Sequence, residues 1–205
     1  MLTDWSEVTG VAAVKTIHPS LKDEDRSDLS LDDLQDFSSH DLRVEPLHGA
    51  LIYGNWWHEA MLHADWSSGK VADELRSRVD KLPSAELCER GREQIGQFLR
   101  SDLFRSLTSP GVGFHRELAY TRMPAKDAIE DGKIDLLYRS GRGGWSLLDW
   151  KTDSVGDAGG ARKIARDRYS AQIAAYVAAL RDFGISVERA GIYFTAIGEW
   201  IALQE

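Results

Sequence analysis

The sequence contains very little cysteine: Cys88 is the single cysteine in 205 residues. One thiol excludes an intramolecular disulfide framework and any four-cysteine zinc or iron–sulfur site. This usage fits a reducing compartment, so we expect the chain to be cytoplasmic. We also find no positively charged leader followed by an apolar stretch, and therefore predict no secretory signal.

Long apolar runs and an excess of positive charge are missing as well. No apolar stretch approaches the roughly 20 residues of a membrane span, so we expect no membrane partner. The net charge of −8, taken alone, argues against nucleic acid as a partner. A nuclease can nevertheless be acidic overall if its positive charge is concentrated in one groove.

The first 50 residues are interpreted as an arm or linker, in part without fixed structure. The segment 23–28 is highly charged and poor in apolar residues, which is typical of a linker. Ser30 is a plausible N-cap for a short helix over 30–37. The 205 residues suit one good-sized domain or one domain with an added subdomain, and we place the folded domain at 51–205.

A predicted β-hairpin organises that domain. Its strands cover 133–138 and Trp145–Lys151, and the glycine-rich segment between them predicts a turn centred on Arg142. Because side chains alternate along a strand, Asp149 and Lys151 share one face. This hairpin would place Asp135 opposite Asp149, with Cβ atoms roughly 5 Å apart.

Two carboxylates at that distance repel each other unless a cation lies between them. Lys151 supplies one positive charge on the same face, and a divalent metal would supply more. The alternative is a structural Asp–Lys pair on a solvated sheet face. We favour the functional reading because Asp149 lies in the apolar run 145–150, where a carboxylate is seldom buried without a partner.

The remaining elements predict a mixed α/β fold with a helix that crosses over the sheet. Before the hairpin we expect a helix capped by Asn55, a helix over Val71–Val79, a helix from Ser84 to about Phe104, and a strand over 114–120. After the hairpin we expect a long helix over 161–183, ended by Gly184, and strands over Val187–Phe194 and 199–203.

Candidate site residues on these elements have two possible readings each. His58, in the first turn of its predicted helix, is either a metal ligand or a partly buried core histidine. Glu117 is either a solvent-facing edge residue or an acid close to a metal. On the crossover helix, Tyr169, Gln172 and Tyr176 share one face. Four basic residues at the start of that helix form either a solvated face or a phosphate-contacting surface: Arg162, Lys163, Arg166 and Arg168.

Together these residues resemble the PD-(D/E)XK nuclease superfamily, and within it the nuclease domain of the RecB and AddA helicase–nucleases. The matching segments, in order, are GNWWH at 54–58, Glu117, GKID at 132–135, DWKT at 149–152 and QIAAY at 172–176. Each motif alone is weak, whereas the ordered set is a stronger signal. The paired Trp56 and Trp57 depart from the family, where smaller residues are common.

The resemblance implies a restriction-endonuclease-like core, a central mixed sheet flanked by helices, with an N-terminal helical extension. It implies that His58, Asp135 and Asp149 hold Mg²⁺ or Mn²⁺, and that Lys151 is the catalytic lysine. Gln172 and Tyr176 would lie near the scissile phosphate, and Glu117 would match the acidic position ahead of the hairpin. Relatives with an iron–sulfur cluster carry four cysteines around this core, which this chain cannot do.

The implied function is that of a metal-dependent deoxyribonuclease acting on single-stranded DNA or duplex ends in repair and recombination. The alternative is a catalytically silent module of the same fold, used for DNA binding or helicase docking. The segment 156–163 faintly resembles a phosphate loop, but Ala161 and Arg162 occupy the positions where Gly and Lys are required. A UvrD/Rep-type helicase would therefore have to be another part of the polypeptide or a separate partner.

Overall fold

The computed structural model describes residues 15–17, 44–139 and 143–204. Its helices are α1 Val44–Leu62, α2 Val71–Val79, α3 Ala85–Arg100, α4 Asp102–Leu107, α5 Ala158–Ile164 and α6 Ser170–Asp182, with a π-helical turn at Ala165–Tyr169 between the last two. Its strands are β1 Lys15–Ile17, β2 Gly113–Ala125, β3 Ala128–Arg139, β4 Trp145–Lys151, β5 Val187–Phe194 and β6 Glu199–Gln204.

The six strands form one mixed sheet around β3. β2 runs antiparallel along the length of β3, whereas β1 and β4 pair with its two ends, β1 in parallel and β4 antiparallel. β4 is parallel to β5, and the helical segment α5–α6 connects these two strands. β6 pairs antiparallel with β5. The predicted mixed α/β arrangement with a crossover helix is therefore confirmed.

Helices cover both faces of this sheet because the strand side chains alternate between two apolar cores. On one face Trp150 packs against Phe98 of α3 and Trp57 of α1, with ring centroids 5.6 and 6.3 Å apart. On the other face Leu147 of β4 belongs to the core that Ile173 of α6 completes. The strand residues Asp149 and Lys151 share the parity of Leu147, and therefore lie toward α6.

Local rules placed several elements correctly. The predicted bounds of α2 and β5 agree with the structure. Ser84 caps α3 by accepting a hydrogen bond from the Leu87 N–H at 3.2 Å. Gly184 follows α6 with a φ of +77°, and its N–H donates to the Arg181 carbonyl at 2.9 Å, which ends the helix.

Three helix boundaries differ from the prediction. α1 begins at Val44, so Asn55 is not its cap. Gly54 lies inside the helix, where a Cβ would lie 3.3 Å from Thr152 Oγ1, so the glycine serves the close approach of α1 to Thr152. α3 stops before Ser101, whose extended backbone lets its Oγ cap α4. The crossover helix begins at Ala158, three residues before the predicted start. It also contains the π-helical turn, which no residue pattern in the sequence predicts.

The predicted arm contributes to the folded part of the chain. β1 lies within it and pairs with β3, Lys15 opposite Ala128, and α1 runs across the predicted boundary at residue 50. The linker 23–28, the helix at 30–37 and the turn at 140–142 lie outside the described residues. None of the helices in the described ranges combines the length and the hydropathy needed to cross a bilayer.

Candidate active site

Acidic side chains from three neighbouring strands converge where β3 and β4 stop pairing. The pairing of these strands ends at Leu136 and Leu148, one residue short of Asp135 and Asp149. At this point Asp135 Oδ2 accepts a hydrogen bond from the Trp150 N–H at 2.8 Å, so a side chain takes the place of the next backbone bond. The predicted opposition of the two aspartates follows the observed register.

Asp149 and Lys151 form a buried ion pair. Lys151 Nζ lies 2.5 Å from Asp149 Oδ2, and the side chains are 19% and 3% exposed. Gln172 of α6 donates from Nε2 to Asp149 Oδ1 at 3.2 Å. Both carboxylate oxygens therefore have partners, one on the strand and one on the crossover helix. The Asp–Lys pair is buried, which removes the alternative of a solvated sheet face.

The protonation of this pair follows from its burial. Desolvation raises the pKa of Asp149 to about 6, an effect that the charge of Lys151 opposes and the charge of Asp135 adds to. For Lys151, burial alone would lower the pKa, but the charge and hydrogen bond of Asp149 outweigh it and the pKa is raised. Lys151 is therefore a cation at neutral pH in this environment.

His58 reaches the same point from α1, near the end of that helix and not in the first turn as predicted. Its Nδ1 lies 3.5 Å from Asp135 Oδ1, and its side chain is 35% exposed. Burial lowers the pKa of His58, but the hydrogen bond and charge of Asp135, with the charge of Asp149, raise it by more. The contact with Asp135 places His58 at the site and not in the apolar core.

Glu117 joins the site from β2 in an unusual backbone conformation. Its neighbours Arg116 and Leu118 pair with Leu136 and Ile134 of β3, so Glu117 lies opposite Asp135 in the neighbouring strand. Its φ is +48°, a left-handed value that costs a residue other than glycine about 1–3 kcal/mol. Its carboxylate forms an ion pair with Lys133. Strain of this kind clusters at functional sites.

His58, Glu117 and Asp135 form a cluster that fits a hard divalent cation. Each offers one ligand atom, and these atoms lie within 4.8 Å of one another. Two carboxylates and an imidazole are ligand types that Mg²⁺ and Mn²⁺ accept. The set differs from the predicted one, because Glu117 takes the third place and Asp149, bound by Lys151 and Gln172, stands beside the cluster. Cation binding itself stays a prediction.

The crossover helix supports the site from the side of α6. Gln172 Nε2 also donates to the Tyr176 hydroxyl at 2.8 Å, and both residues are buried. The predicted shared face is confirmed, while contact of these two side chains with a substrate stays a prediction. Gln172 contacts Asp149 directly, and Tyr176 is linked to Asp149 through Gln172.

The π-helical turn brings in Tyr169, which the sequence placed on this face without a role. Lys151 Nζ lies 4.8 Å from the centroid of its ring, and its hydroxyl donates to Asp153, with 3.0 Å to each carboxylate oxygen. Burial raises the pKa of Tyr169 to about 12, with a contribution from the charge of Asp153. π-Helical turns are frequent at functional sites, since the extra residue redirects a side chain.

The four basic residues of the crossover helix are exposed. Lys163 pairs with Asp167 at 2.9 Å, and Arg168 lies 4.0 Å from Asp153, the second residue after Lys151. Arg162 and Arg166 have no carboxylate partner among the described residues. These charges remain available to a polyanion next to the site, and phosphate contact stays a prediction.

Arg90 of α3 is a site neighbour that the sequence reading missed. Its Nη2 donates to the Thr152 carbonyl at 2.6 Å, directly after Lys151, and its guanidinium lies 4.0 Å from the centroid of the Tyr53 ring. The two partners of this hydrogen bond are 62 residues apart. No local pattern could have indicated it.

Comparisons with known proteins give no family for this chain: no family model matches it, and no curated protein matches it significantly. The resemblance to the PD-(D/E)XK nucleases therefore depends on the residues described above and on their arrangement.

Proposed function

We propose that this chain is a metal-dependent deoxyribonuclease with a restriction-endonuclease-like core. The observation that carries the proposal is the position of the buried Asp149–Lys151 pair beside the cluster of His58, Glu117 and Asp135. A phosphodiester substrate needs a cation site and a fixed positive charge next to each other, because charge accumulates on phosphate oxygens as the bond breaks.

A Mg²⁺ or Mn²⁺ ion would be held by His58, Glu117 and Asp135, with Asp149, which the motif resemblance implies as a metal ligand, next to them. When bound, such an ion supplies charge neutralisation at the phosphate and a lowered pKa for a coordinated water. These side chains come together where the pairing of β3 with β4 ends.

Lys151 acts as a fixed cation in this proposal. Because Asp149 keeps it protonated, it stabilises negative charge or orients a water, and it does not accept a proton. Gln172 and Arg90 act as positioning residues. Gln172 holds the Asp149 carboxylate, and Arg90 holds the carbonyl of Thr152, the residue after Lys151. Tyr169 limits the space around the Lys151 ammonium group.

The proposed substrate is DNA, single-stranded or at duplex ends, guided by the exposed basic residues of α5 and the π-helical turn. A UvrD/Rep-type helicase, in the same polypeptide or as a partner, remains part of the proposal, with the cytoplasm as the expected location. The support for these finer points is the motif resemblance alone.

Cleavage of end-labelled single-stranded and duplex DNA in Mg²⁺, Mn²⁺ and EDTA tests the proposal. We expect cleavage with either metal, none in EDTA, and loss of cleavage in Asp135→Asn. Asp127→Asn, an exposed carboxylate in the turn between β2 and β3, is the matched control and should cleave normally. Retained DNA binding without cleavage in the wild type would instead support the silent module.

A further inference from the structure

A cavity lies on the sheet face opposite Asp149 and Lys151. It has a volume of about 520 Å³ and is enclosed by the α3–α4 junction and the β5–β6 hairpin. Tyr138 and Tyr193 form part of its wall, and both belong to the core on the side of α1–α4. Asp149 and Lys151 lie toward α6, so the sheet separates the cavity from the Asp–Lys pair.

The wall of this cavity carries a net positive charge, with three arginines and two carboxylates, although the whole chain is acidic. Arg100 and Arg189 line it, and neither forms an ion pair with a carboxylate among the described residues. The guanidinium of Arg189 lies 4.1 Å from the centroid of the Trp200 ring, which fixes its position at the mouth. A guanidinium held in this way offers its donors to an anion without a large loss of side-chain freedom.

The wall also contains a buried hydroxyl without a hydrogen bond of normal geometry. Tyr193 is 0% exposed, and its hydroxyl lacks such a partner among the described residues; its polar neighbour is Ser101. That hydroxyl lies near Ser101 and Gly198, and both line the cavity. Because its bond with Ser101 has poor geometry, this hydroxyl is able to donate to an acceptor that enters the cavity.

Acidic groups reduce the positive charge but do not cancel it. Asp102 forms an ion pair with Arg105, which takes both out of competition for a ligand. Glu199 lies at the rim and is exposed. Arg100 and Arg189 therefore face one free carboxylate, and the balance favours an anion with several acceptor oxygens.

We propose that this cavity binds a phosphate-bearing nucleotide, either free or at the end of a nucleic-acid strand. A phosphate accepts hydrogen bonds from two guanidinium groups and a hydroxyl together, which a single carboxylate does less well. The volume lies in the range of small-molecule sites and exceeds what one inorganic ion would fill. The proposal does not depend on nuclease activity, since the cavity shares no residue with the Asp–Lys pair or the metal cluster.

Calorimetric titration of the full chain in EDTA tests this proposal, with AMP, pyrophosphate and a 5′-phosphorylated oligonucleotide as probes. Arg189→Ala should weaken binding roughly tenfold or more, the size expected for one lost charge-assisted contact. Arg181→Ala, an exposed arginine at the end of α6, is the matched control and should bind like the wild type. Lys151→Met should leave the binding of AMP and pyrophosphate unchanged, which separates this site from the proposed catalytic one.

Tyr193→Phe distinguishes a ligand role from a structural one. The hydroxyl contributes only a poorly formed bond with Ser101, so its removal should change the melting temperature of the ligand-free protein little, while it weakens nucleotide binding several-fold. Equal losses of AMP and oligonucleotide affinity in Arg189→Ala identify a free nucleotide as the ligand, and a larger loss for the oligonucleotide identifies a strand end. Absence of binding for all three probes at millimolar concentration, or unchanged binding in both variants, overturns the proposal.

Discussion

The hydrogen bond between Arg90 and the Thr152 carbonyl gives the sharpest prediction on stability. This bond and the contact with the Tyr53 ring join α3 and α1 to the end of β4. A hydrogen bond to a charged group contributes about 1.5–3 kcal/mol, and a cation–π contact about 0.5–1 kcal/mol. We expect Arg90→Ala to lower the free energy of unfolding by about 2–4 kcal/mol in the absence of metal.

At about 2–4 °C per kcal/mol for a chain of this length, the melting temperature should fall by roughly 4–16 °C. Thermal melts in EDTA measure this change, and DNA cleavage should fall as well because Thr152 follows Lys151. Arg92→Ala, two positions along the same helix, is the control: its pair with Asp80 is largely exposed, and its loss should cost less than about 1 kcal/mol. Equal melting temperatures for the two variants would refute this reasoning.

Three further predictions concern buried or ligating groups. Arg122→Met should lower the free energy of unfolding by about 3 kcal/mol, because it leaves Glu130, which is 5% exposed, without its ion pair. Thermal melts measure this loss, and adding Glu130→Gln to the same chain should recover part of it. His58→Ala should raise the Mn²⁺ dissociation constant in calorimetry and change the metal-free melting temperature little, since the His58 side chain is 35% exposed. A large fall in the metal-free melting temperature with unchanged Mn²⁺ affinity would show that His58 is a structural residue. Gln172→Ala should slow turnover more than it weakens Mn²⁺ binding, because its amide holds Asp149; a lost metal site would contradict this.

The centre of the site was predictable because its geometry is local. The β3–β4 hairpin fixes which residues face each other, and strand alternation fixes their sides, so Asp135, Asp149 and Lys151 could be brought together from spacing alone. Helical spacing did the same for Gln172 and Tyr176 on one face. Each of these inferences uses residues that belong to one element or one hairpin.

Tertiary contacts determined the parts that the sequence did not reveal. Asn55 suggested a helix start, yet α1 runs through this segment, and the lack of a side chain at Gly54 serves the close approach of α1 to Thr152. Glu117 reached the cluster because β2 pairs with β3 in a register that only the fold defines. The π-helical turn and the Arg90 contact likewise depend on neighbours distant in the chain, where propensity is only a weak guide.

Lys151 provides the most direct test of the proposed function. Single-turnover cleavage of labelled DNA in Mn²⁺ should be lost in Lys151→Met, while calorimetry still detects Mn²⁺ binding and the circular dichroism spectrum is unchanged. Lys81→Met, which removes an exposed lysine between α2 and α3, should cleave like the wild type. Cleavage by Lys151→Met at a rate near that of the wild type would contradict the assignment of the buried Asp–Lys pair to catalysis.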